Sequence, residues 1–390
     1  MKKYIFLLFI LYAALSCNRN RNRNTNTNTI ELNYSIQNID IDVKSEDEFL
    51  FSLLYDSCEI ITLNSIKENL GEISKIRIDS SSIYILSQNK LYLFNKKGIF
   101  LNIYDKKGKG PKEYLNIEDF IVTETDVQFI DFNQQKVIFL DKSLHYIKNT
   151  PIDFYASSFY QANDKTYIFN HNSSGYNDSN NKISIRDERF KVIDGFFPMS
   201  KTFMYYYYVI EKNNYCQIGN NIHFLHSPYD TIYQFKDRKI TPVYALNFGD
   251  YKMPLKNYEK KYNDIYEFYL SAKKSNYVCY VDSYFENDSS LFFSYGLKGV
   301  RKHVFYNKKN NKILNSSSFV DDINFLNFKM KSTYDNYPSA ITSTHHYYVL
   351  QSYELIQRID KNKVKNNKLV ELKDKINIYS SPIIFKMRLK

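Results

Sequence analysis

The sequence predicts an all-β protein, a six-bladed β-propeller with four-stranded antiparallel blades and one helical insertion. Short alternating runs rich in Ile, Val, Tyr and Phe occur in pairs, and six such pairs lie between residues 74 and 375. A weaker run precedes each pair and another follows it. Units of four strands at a period of about 40 residues are typical of propeller blades. A β-sandwich is the alternative, but it gives no reason for a six-fold repeat.

The predicted strands are bounded by Asn, Asp, Ser or Gly, which favour turns. The first members of the pairs are 82–87, 126–131, 165–170, 221–226, 290–295 and 346–351, and the second members are 90–95, 136–141, 182–187, 231–236, 302–307 and 355–360. The preceding runs are 74–79, 117–122, 157–162, 215–220, 283–288 and 339–344, and the following runs are 100–105, 145–150, 192–197, 241–246, 313–319 and 370–375. Asn and Asp tolerate positive φ, so the turns need few of the ten glycines.

The propeller is expected to occupy residues 30–390. Residues 30–63 would add an outer strand to the last blade and close the ring, so that no long edge stays unpaired. The one helical insertion is placed at about 254–273. There Tyr258, Tyr262, Ile265, Tyr266 and Tyr269 share a helical face, and we expect the helix to pack on the rim beside blade 4. A partner-binding helix is the alternative.

The N-terminus is typical of an exported protein. Residues 1–16 combine two lysines with an apolar run that is too short to span a bilayer, and therefore predict a signal peptide. Cys17 follows Ala14-Leu15-Ser16 in the manner of a bacterial lipoprotein box, which makes it the expected lipidation site. Residues 17–29 would be a flexible polar tether. The expected location is the outer membrane, facing the periplasm or the cell surface; an ordinary signal peptide is the alternative.

The formal net charge of +11 does not predict nucleic-acid binding, because it is concentrated at the two ends. Residues 1–23 and 358–390 together hold +12, which leaves −1 for residues 24–357. A nearly neutral body lacks the broad basic face that phosphate-backbone binding needs. Apart from Cys17 there are three cysteines without close spacing, so no disulfide framework is expected; buried thiols are favoured over one disulfide pair.

No cofactor, metal site or catalytic residue is predicted. The seven histidines include His223 and His226, which would point to opposite faces of one strand and therefore would not share a metal. The Gly108-Lys-Gly-Pro-Lys112 segment is not followed by the Lys-Ser/Thr and helix of a phosphate-binding loop, so a tight turn between blades is expected instead.

A family resemblance agrees with this prediction. Residues 106–120 (KKGKGPKEYLNIEDF) resemble the G-x-G-P-G-E-Y motif of the six-bladed, NHL-repeat-like β-propeller lipoproteins of Bacteroidales, with Lys112 replacing the second motif glycine of G-P-G. Asp230-Thr-Ile-Tyr233 and the P-x-Y-x-x-F-G segment that begins at Pro242 resemble further segments of that family. The resemblance implies an envelope-anchored propeller without a settled activity.

Meander topology indicates where a ligand would bind. The connections from the second to the third strand, and from one blade to the next, emerge on one face and surround the channel mouth. The residues expected there are Glu113, Tyr114, Tyr229, Asp230, Arg301, Tyr353 and Glu354, with the 171–181 loop beside them. The sequence thus predicts a lipid-anchored, non-catalytic binding or scaffolding module for an envelope protein, a polar small molecule or a glycan. A propeller lyase or hydrolase with a channel-mouth site is the alternative.

Overall fold

The computed structural model describes residues 36–47, 49–64, 69–163, 165–171, 180–198, 214–225, 230–258, 260–324, 338–359 and 364–390. The expected signal peptide, Cys17 and the tether lie outside these residues. So do Tyr229, His226 and most of the 171–181 loop.

Six sheets of four antiparallel strands confirm the predicted propeller. From the innermost strand outwards, blade 1 is Ile73–Ile78, Ser82–Ser87, Lys90–Asn95 and Phe100–Tyr104; blade 2 is Asp119–Val122, Asp126–Asp131, Lys136–Asp141 and Tyr146–Pro151; blade 3 is Ser158–Asn163, Thr166–Asn170, Asn181–Arg186 and Val192–Pro198. Blade 4 is Tyr215–Ile218, Asn221–Leu225, Thr231–Lys236 and Lys239–Asn247; blade 5 is Val278–Glu286, Ser290–Leu297, Val300–Asn307 and Ile313–Ser316; blade 6 is Ala340–Ile341, His345–Leu350, Ile383–Leu389 and Tyr55–Thr62. The innermost strands of blades 1, 2 and 3 contact one another in turn, and so do those of blades 4, 5, 6 and 1.

The hydrophobic cores lie between neighbouring blades. In blade 1, Tyr84 and Leu86 point toward blade 2, while Ile83 and Ile85 point toward blade 6. Successive side chains of a strand point to opposite faces, so an inner strand that is covered on both faces is apolar throughout. This is why the second strand of blade 1 (SIYILS) is buried along its whole length.

The ring closes where the N-terminal segment pairs with the C-terminal strand, as the sequence predicts. Tyr55–Thr62 lies antiparallel to Ile383–Leu389, with Ile60 opposite Phe385 and Cys58 opposite Met387. Ile60 and Met387 are both buried in the core between blades 5 and 6. Two further N-terminal strands pair in parallel: Gln37–Asp40 with the outer strand of blade 4, and Phe49–Leu50 with Phe319–Val320.

The prediction for the last two strands of blade 6 is wrong. Residues 355–358 and 370–373 of these two predicted strands lie in helices, and the third strand is Ile383–Leu389. Leu355 and Ile359 are both buried and stand four residues apart, which is helical spacing. Leu369 is buried in the same core, with Leu372 packed against it three residues later. The apolar residues of this segment are therefore spaced for a helix, with its period of 3.6 residues, although the residue composition resembles that of a strand.

In the described part of the chain, five short α-helices lie outside the blades: α1 (Phe51–Leu54), α2 (Leu255–Tyr258), α3 (Ile265–Lys274), α4 (Ser352–Arg358) and α5 (Asn367–Lys373). The insertion packs on blade 5 rather than beside blade 4, through Phe268, which is buried with Met253 and Cys279. Asp264 caps α3 by accepting a hydrogen bond from the Glu267 backbone N at 2.7 Å, so the helix begins only at Ile265. The predicted apolar face spans this break, and its member Tyr266 is exposed.

Candidate functional site

One face of the ring collects the connections from the second to the third strands and the connections between blades; we call it the top face. In blades 1 to 5 the strands follow one another in chain order, as this geometry requires. The predicted site residues belong to blades 1 and 2, 4, 5 and 6, so they are spread around the ring and do not form one cluster.

The segment that links blades 1 and 2 is a rigid turn. Gly110 N donates to the Glu113 carboxylate at 2.7 Å, and Gln134 Nε2 donates to the Gly108 carbonyl at 2.7 Å. A Cβ on Gly108 would overlap that carboxylate, so a larger residue there would have to displace the Glu113 side chain; Gly108 does not have positive φ. Lys112 is not among the residues with positive φ, so its replacement of a glycine costs no backbone strain.

Tyr114 is a core residue, and its prediction as a surface contact is wrong. Its ring is fully buried, stacks on Tyr104 with the ring centroids 5.8 Å apart, and meets Phe129 edge-on. The hydroxyl donates to the Asn89 carbonyl at 2.7 Å. Burial, with a smaller contribution from Asp105, raises the pKa of Tyr114 above its usual range.

Asp230, Tyr353 and Glu354 lie at separate places on the top face. The Asp230 carboxylate pairs with Lys252 Nζ at 2.7 Å, and that lysine is largely exposed. Tyr353 and Glu354 stand in the first turn of α4, where Tyr353 is about half exposed. They are therefore presented by a helix and not by the predicted loop.

Arg301 is buried in blade 5 and was wrongly predicted to be an exposed loop residue. Its Nη1 and Nη2 donate to the two carboxylate oxygens of Asp282 at 2.7 and 2.8 Å. Nη1 also donates to Ser294 Oγ at 2.9 Å. Arg301 and Asp282 are 4% and 6% exposed, so this bidentate ion pair lies almost entirely out of water.

The site that the structure forms is a cavity between α3 and blade 5. It measures about 290 Å³ and opens on the top face, and we call it the α3 cavity. Its lining residues are Phe268, Tyr269, Ala272, Lys273, Cys279, Tyr280, Gly296, Gly299 and Arg301. The lining is mostly apolar, with two cations among the aromatic rings, which is the composition of many ligand pockets.

Two glycines let the cavity walls form. A Cβ on Gly296 would overlap the Tyr280 ring, which packs directly on this glycine. Gly299 has φ +72° in the turn between the second and third strands of blade 5, and the Lys273 side chain lies over it. The side chains of Lys273 in α3 and of Tyr280 in the innermost strand therefore pack directly against the backbone of these two glycines.

The charged group in the floor of the cavity is Arg301, whose charge is paired with that of Asp282. The Arg301 guanidinium lies 5.5 Å from the centre of the Tyr280 ring. The Cys279 thiol is buried and donates to the Ala272 and Tyr277 carbonyls, both at 3.2 Å. Burial raises the pKa of this thiol to about 11, so the thiol is protonated at neutral pH.

Sequence reasoning missed most of this site. Arg301 and Tyr269 were singled out, but Phe268, Lys273 and Tyr280 were not. The available signals were Gly296 near the end of an apolar strand, Gly299 in the short turn that follows it, and the helical insertion three residues before blade 5.

A second hollow, of about 420 Å³, lies between blade 6 and α5. Its lining includes Lys368, Glu371, Lys375 and two serines, and is more polar than that of the α3 cavity. Because Lys368 Nζ already donates to the Ile60 carbonyl at 2.6 Å, that cation is engaged in holding α5 to the outer strand of blade 6.

A buried polar cluster occupies the opposite face, between blades 4 and 5. Glu286 accepts from His223 Nδ1 at 2.9 Å and also contacts Lys308 and Tyr284. Burial alone would raise the pKa of Glu286, but His223 and Lys308 hold it below its usual range. The His223 and Glu286 side chains are only 8% and 0% exposed, so a substrate could not reach this pair without rearrangement.

The described residues include neither a candidate metal site nor a candidate membrane-spanning helix. No group of three or more His, Cys, Asp or Glu side chains there is placed to hold a metal ion. Within the same ranges, no helix has the length and apolar character needed to cross a membrane.

The chain is similar to known proteins along nearly the whole propeller. A family model described as a domain of unknown function (DUF4934) matches residues 36–388. The crystal structure of a protein named as exported, from Bacteroides fragilis NCTC 9343, is 21% identical with a TM-score of 0.73 and covers 91% of this chain and 99% of that one. A DUF4221 family member from Bacteroides vulgatus ATCC 8482 is 11% identical with a TM-score of 0.50, covering 86% and 97%. No curated protein matches the chain. At such identities the two structures show a shared fold.

Proposed function

The chain belongs to the DUF4934 family, and we propose that it is an exported, lipid-anchored envelope protein that binds a ligand or partner without catalysis, using the α3 cavity. The α3 cavity is the observation that carries this proposal. A rigid blade supplies its floor and a short helix supplies its wall, which is a common way for a propeller-like scaffold to present a binding site. The Bacteroides neighbour named as exported agrees with the location.

The cavity offers contact area and not reactive chemistry. Its one buried charge, Arg301, is neutralised by Asp282, and its thiol is protonated at neutral pH. Aromatic rings from Phe268, Tyr269 and Tyr280 provide the apolar surface. Such a pocket supports binding because apolar area leaves water when a ligand enters.

The cavity can be tested with a neutral fluorescent probe, N-phenyl-1-naphthylamine. Tyr269→Ala should weaken its binding about fivefold or more, because the ring is part of the wall. Tyr266→Ala is the matched control: it removes the same residue type from the same helix, but Tyr266 is 68% exposed and does not line the cavity. Equal affinities for the wild type and Tyr269→Ala would contradict the proposed site.

The lipid anchor makes a separate prediction. Cys17→Ala should move the protein from the membrane fraction to the soluble fraction and abolish labelling with radioactive palmitate. Cys58→Ala is the control, since Cys58 is a half-buried free cysteine within the outer strand of blade 6. Retention of Cys17→Ala in the membrane fraction would show that another segment holds the protein there.

A further inference from the structure

The exposed face of α3 carries an aromatic stripe beside the cavity. Tyr266, Tyr269, Leu270 and Lys273 stand at positions i, i+3, i+4 and i+7, and we call them the α3 stripe. Tyr266 is 68% exposed, and Tyr269 and Leu270 are about 40% exposed. The opposite side of the helix is fixed to the protein by the buried Phe268.

The stripe continues onto blade 5. Val300, which follows the Gly299 turn, is also exposed. Lys273 lies over that turn, and Tyr269 and Lys273 belong to both the stripe and the cavity lining. A neighbouring group of exposed large apolar side chains around a pocket is characteristic of a surface that binds another protein, and tyrosine is enriched in such interfaces.

The charge around the stripe is positive. Lys273 and Lys274 end α3, and Lys298 stands in the adjacent turn; all three are exposed. Within the described ranges, no carboxylate lies within ion-pair distance of these three lysines. The nearby acidic groups are already engaged: Asp282 pairs with Arg301, and Glu267 accepts from the Asn263 backbone and side chain at 2.7 and 2.8 Å.

We propose that the α3 stripe docks an acidic segment of a partner protein, which inserts one large apolar side chain into the α3 cavity. This inference rests on the proposed function, because it assigns a ligand class to the same cavity. Asp or Glu side chains of the segment would lie against the three lysines, and the inserted side chain would contact Phe268, Tyr269 and Tyr280. The tyrosines would act as the rigid anchors of the interface.

The cavity favours a protein segment over a lipid surface. A helix with exposed tyrosines and lysines also suits a membrane interface, but a membrane surface needs no pocket behind the helix. A cavity of about 290 Å³ that opens beside the stripe matches a side chain projecting from a chain. A second copy of this protein fits the stripe less well, because a symmetric contact would place the three lysines of one copy against the same three lysines of the other, and like charges repel.

The experiment is a selection of random 12-residue peptides displayed on phage against the intact protein. The enriched peptides should combine Asp or Glu with one Phe, Tyr, Trp, Leu or Ile. For a synthetic peptide of the enriched sequence, fluorescence anisotropy should show binding about fivefold or more weaker with Tyr266→Ala and with the triple variant Lys273→Gln, Lys274→Gln, Lys298→Gln. Tyr379→Ala and Lys309→Gln are the controls, because both residues are exposed and neither belongs to the stripe or to the cavity lining.

Several outcomes would overturn the inference. In the selection, they are the absence of any enriched peptide or the enrichment of basic or uncharged peptides. In binding measurements, they are binding to phosphatidylglycerol vesicles that depends on Tyr266 and replaces peptide binding, or self-association of the protein that Tyr266→Ala abolishes. The naphthylamine probe keeps the two proposals apart. If Tyr269→Ala weakens probe binding but no acidic peptide is selected, the proposed binding cavity is supported and the proposed acidic partner is contradicted. If Tyr269→Ala leaves probe binding unchanged, the proposed binding cavity itself is contradicted.

Discussion

Replacing Asp282 with alanine is expected to lower the free energy of unfolding by about 3 to 5 kcal/mol, because it leaves the Arg301 guanidinium buried without a counter-charge. Both side chains are almost completely out of water, so solvent cannot compensate for the lost carboxylate. The measurement is the midpoint of urea unfolding, followed by circular dichroism, and the shift should be accompanied by loss of probe binding at the α3 cavity, whose floor Arg301 helps to form.

The control for this variant is Asp230→Ala. Asp230 also pairs with a cation at 2.7 Å, but its partner Lys252 is 64% exposed, so the pair should contribute less than about 1 kcal/mol. The double variant Asp282→Leu, Arg301→Met should recover most of the stability, since replacing both partners with apolar groups removes the buried charge altogether. Equal losses in Asp282→Ala and Asp230→Ala would show that burial does not govern this ion pair.

Acid should destabilise the protein through His303 and His346. Both rings are fully buried, and burial lowers the pKa of each to about 3 in the folded state. An unfolded histidine takes up a proton near pH 6.5, so below that pH the unfolded state binds more protons and stability falls. The loss begins near pH 6.5, reaches about 2 kcal/mol per histidine at pH 5, and levels off near pH 3.

His303→Phe isolates one of these contributions. The ring stacks on Phe292, and both its nitrogens have no hydrogen-bond partner within the described residues. A phenyl ring should therefore be tolerated at pH 8 and should reduce the loss of stability between pH 7 and 5 by about 2 kcal/mol. Phe292→Leu is the control, because it alters the same core without removing a titratable group and should lower the stability equally at pH 7 and pH 5. An unaltered pH dependence in His303→Phe would show that the ring reaches water before unfolding.

The blades were predictable because strand alternation and turn residues are local signals. Tyr84 and Ile85 alternate between two interblade cores, and this period of two is present in the sequence itself. Blade 6 departs from the prediction because an insertion of two helices separates its second strand from its third. Leu355 and Ile356 resemble the start of a strand, and only the spacing of Leu355 and Ile359 indicates the helix.

The site was less predictable, because its residues come together only in three dimensions. Topology predicts a site on the top face, and two residues that the sequence predicts on that surface, Arg301 and Tyr114, are buried. Both are buried because of partners that lie far away in the sequence. Arg301 pairs with Asp282, 19 residues away on the innermost strand, and the Tyr114 hydroxyl donates to the carbonyl of Asn89, 25 residues away on the preceding blade. Residue type alone does not report such pairing. The α3 cavity likewise depends on where Phe268 fixes the helix, a packing result that no motif indicates.

The strand pairing that closes the ring also sets an order of events during synthesis and folding. Tyr55–Thr62 is synthesised well before its partner Ile383–Leu389, because the two strands lie far apart in the sequence. Blade 6 therefore cannot assemble until Ile383–Leu389 has been synthesised, and the faces that bury Ile60 and Ile384 stay uncovered until then. Closing so long a loop adds contacts of very high sequence separation, which slows folding.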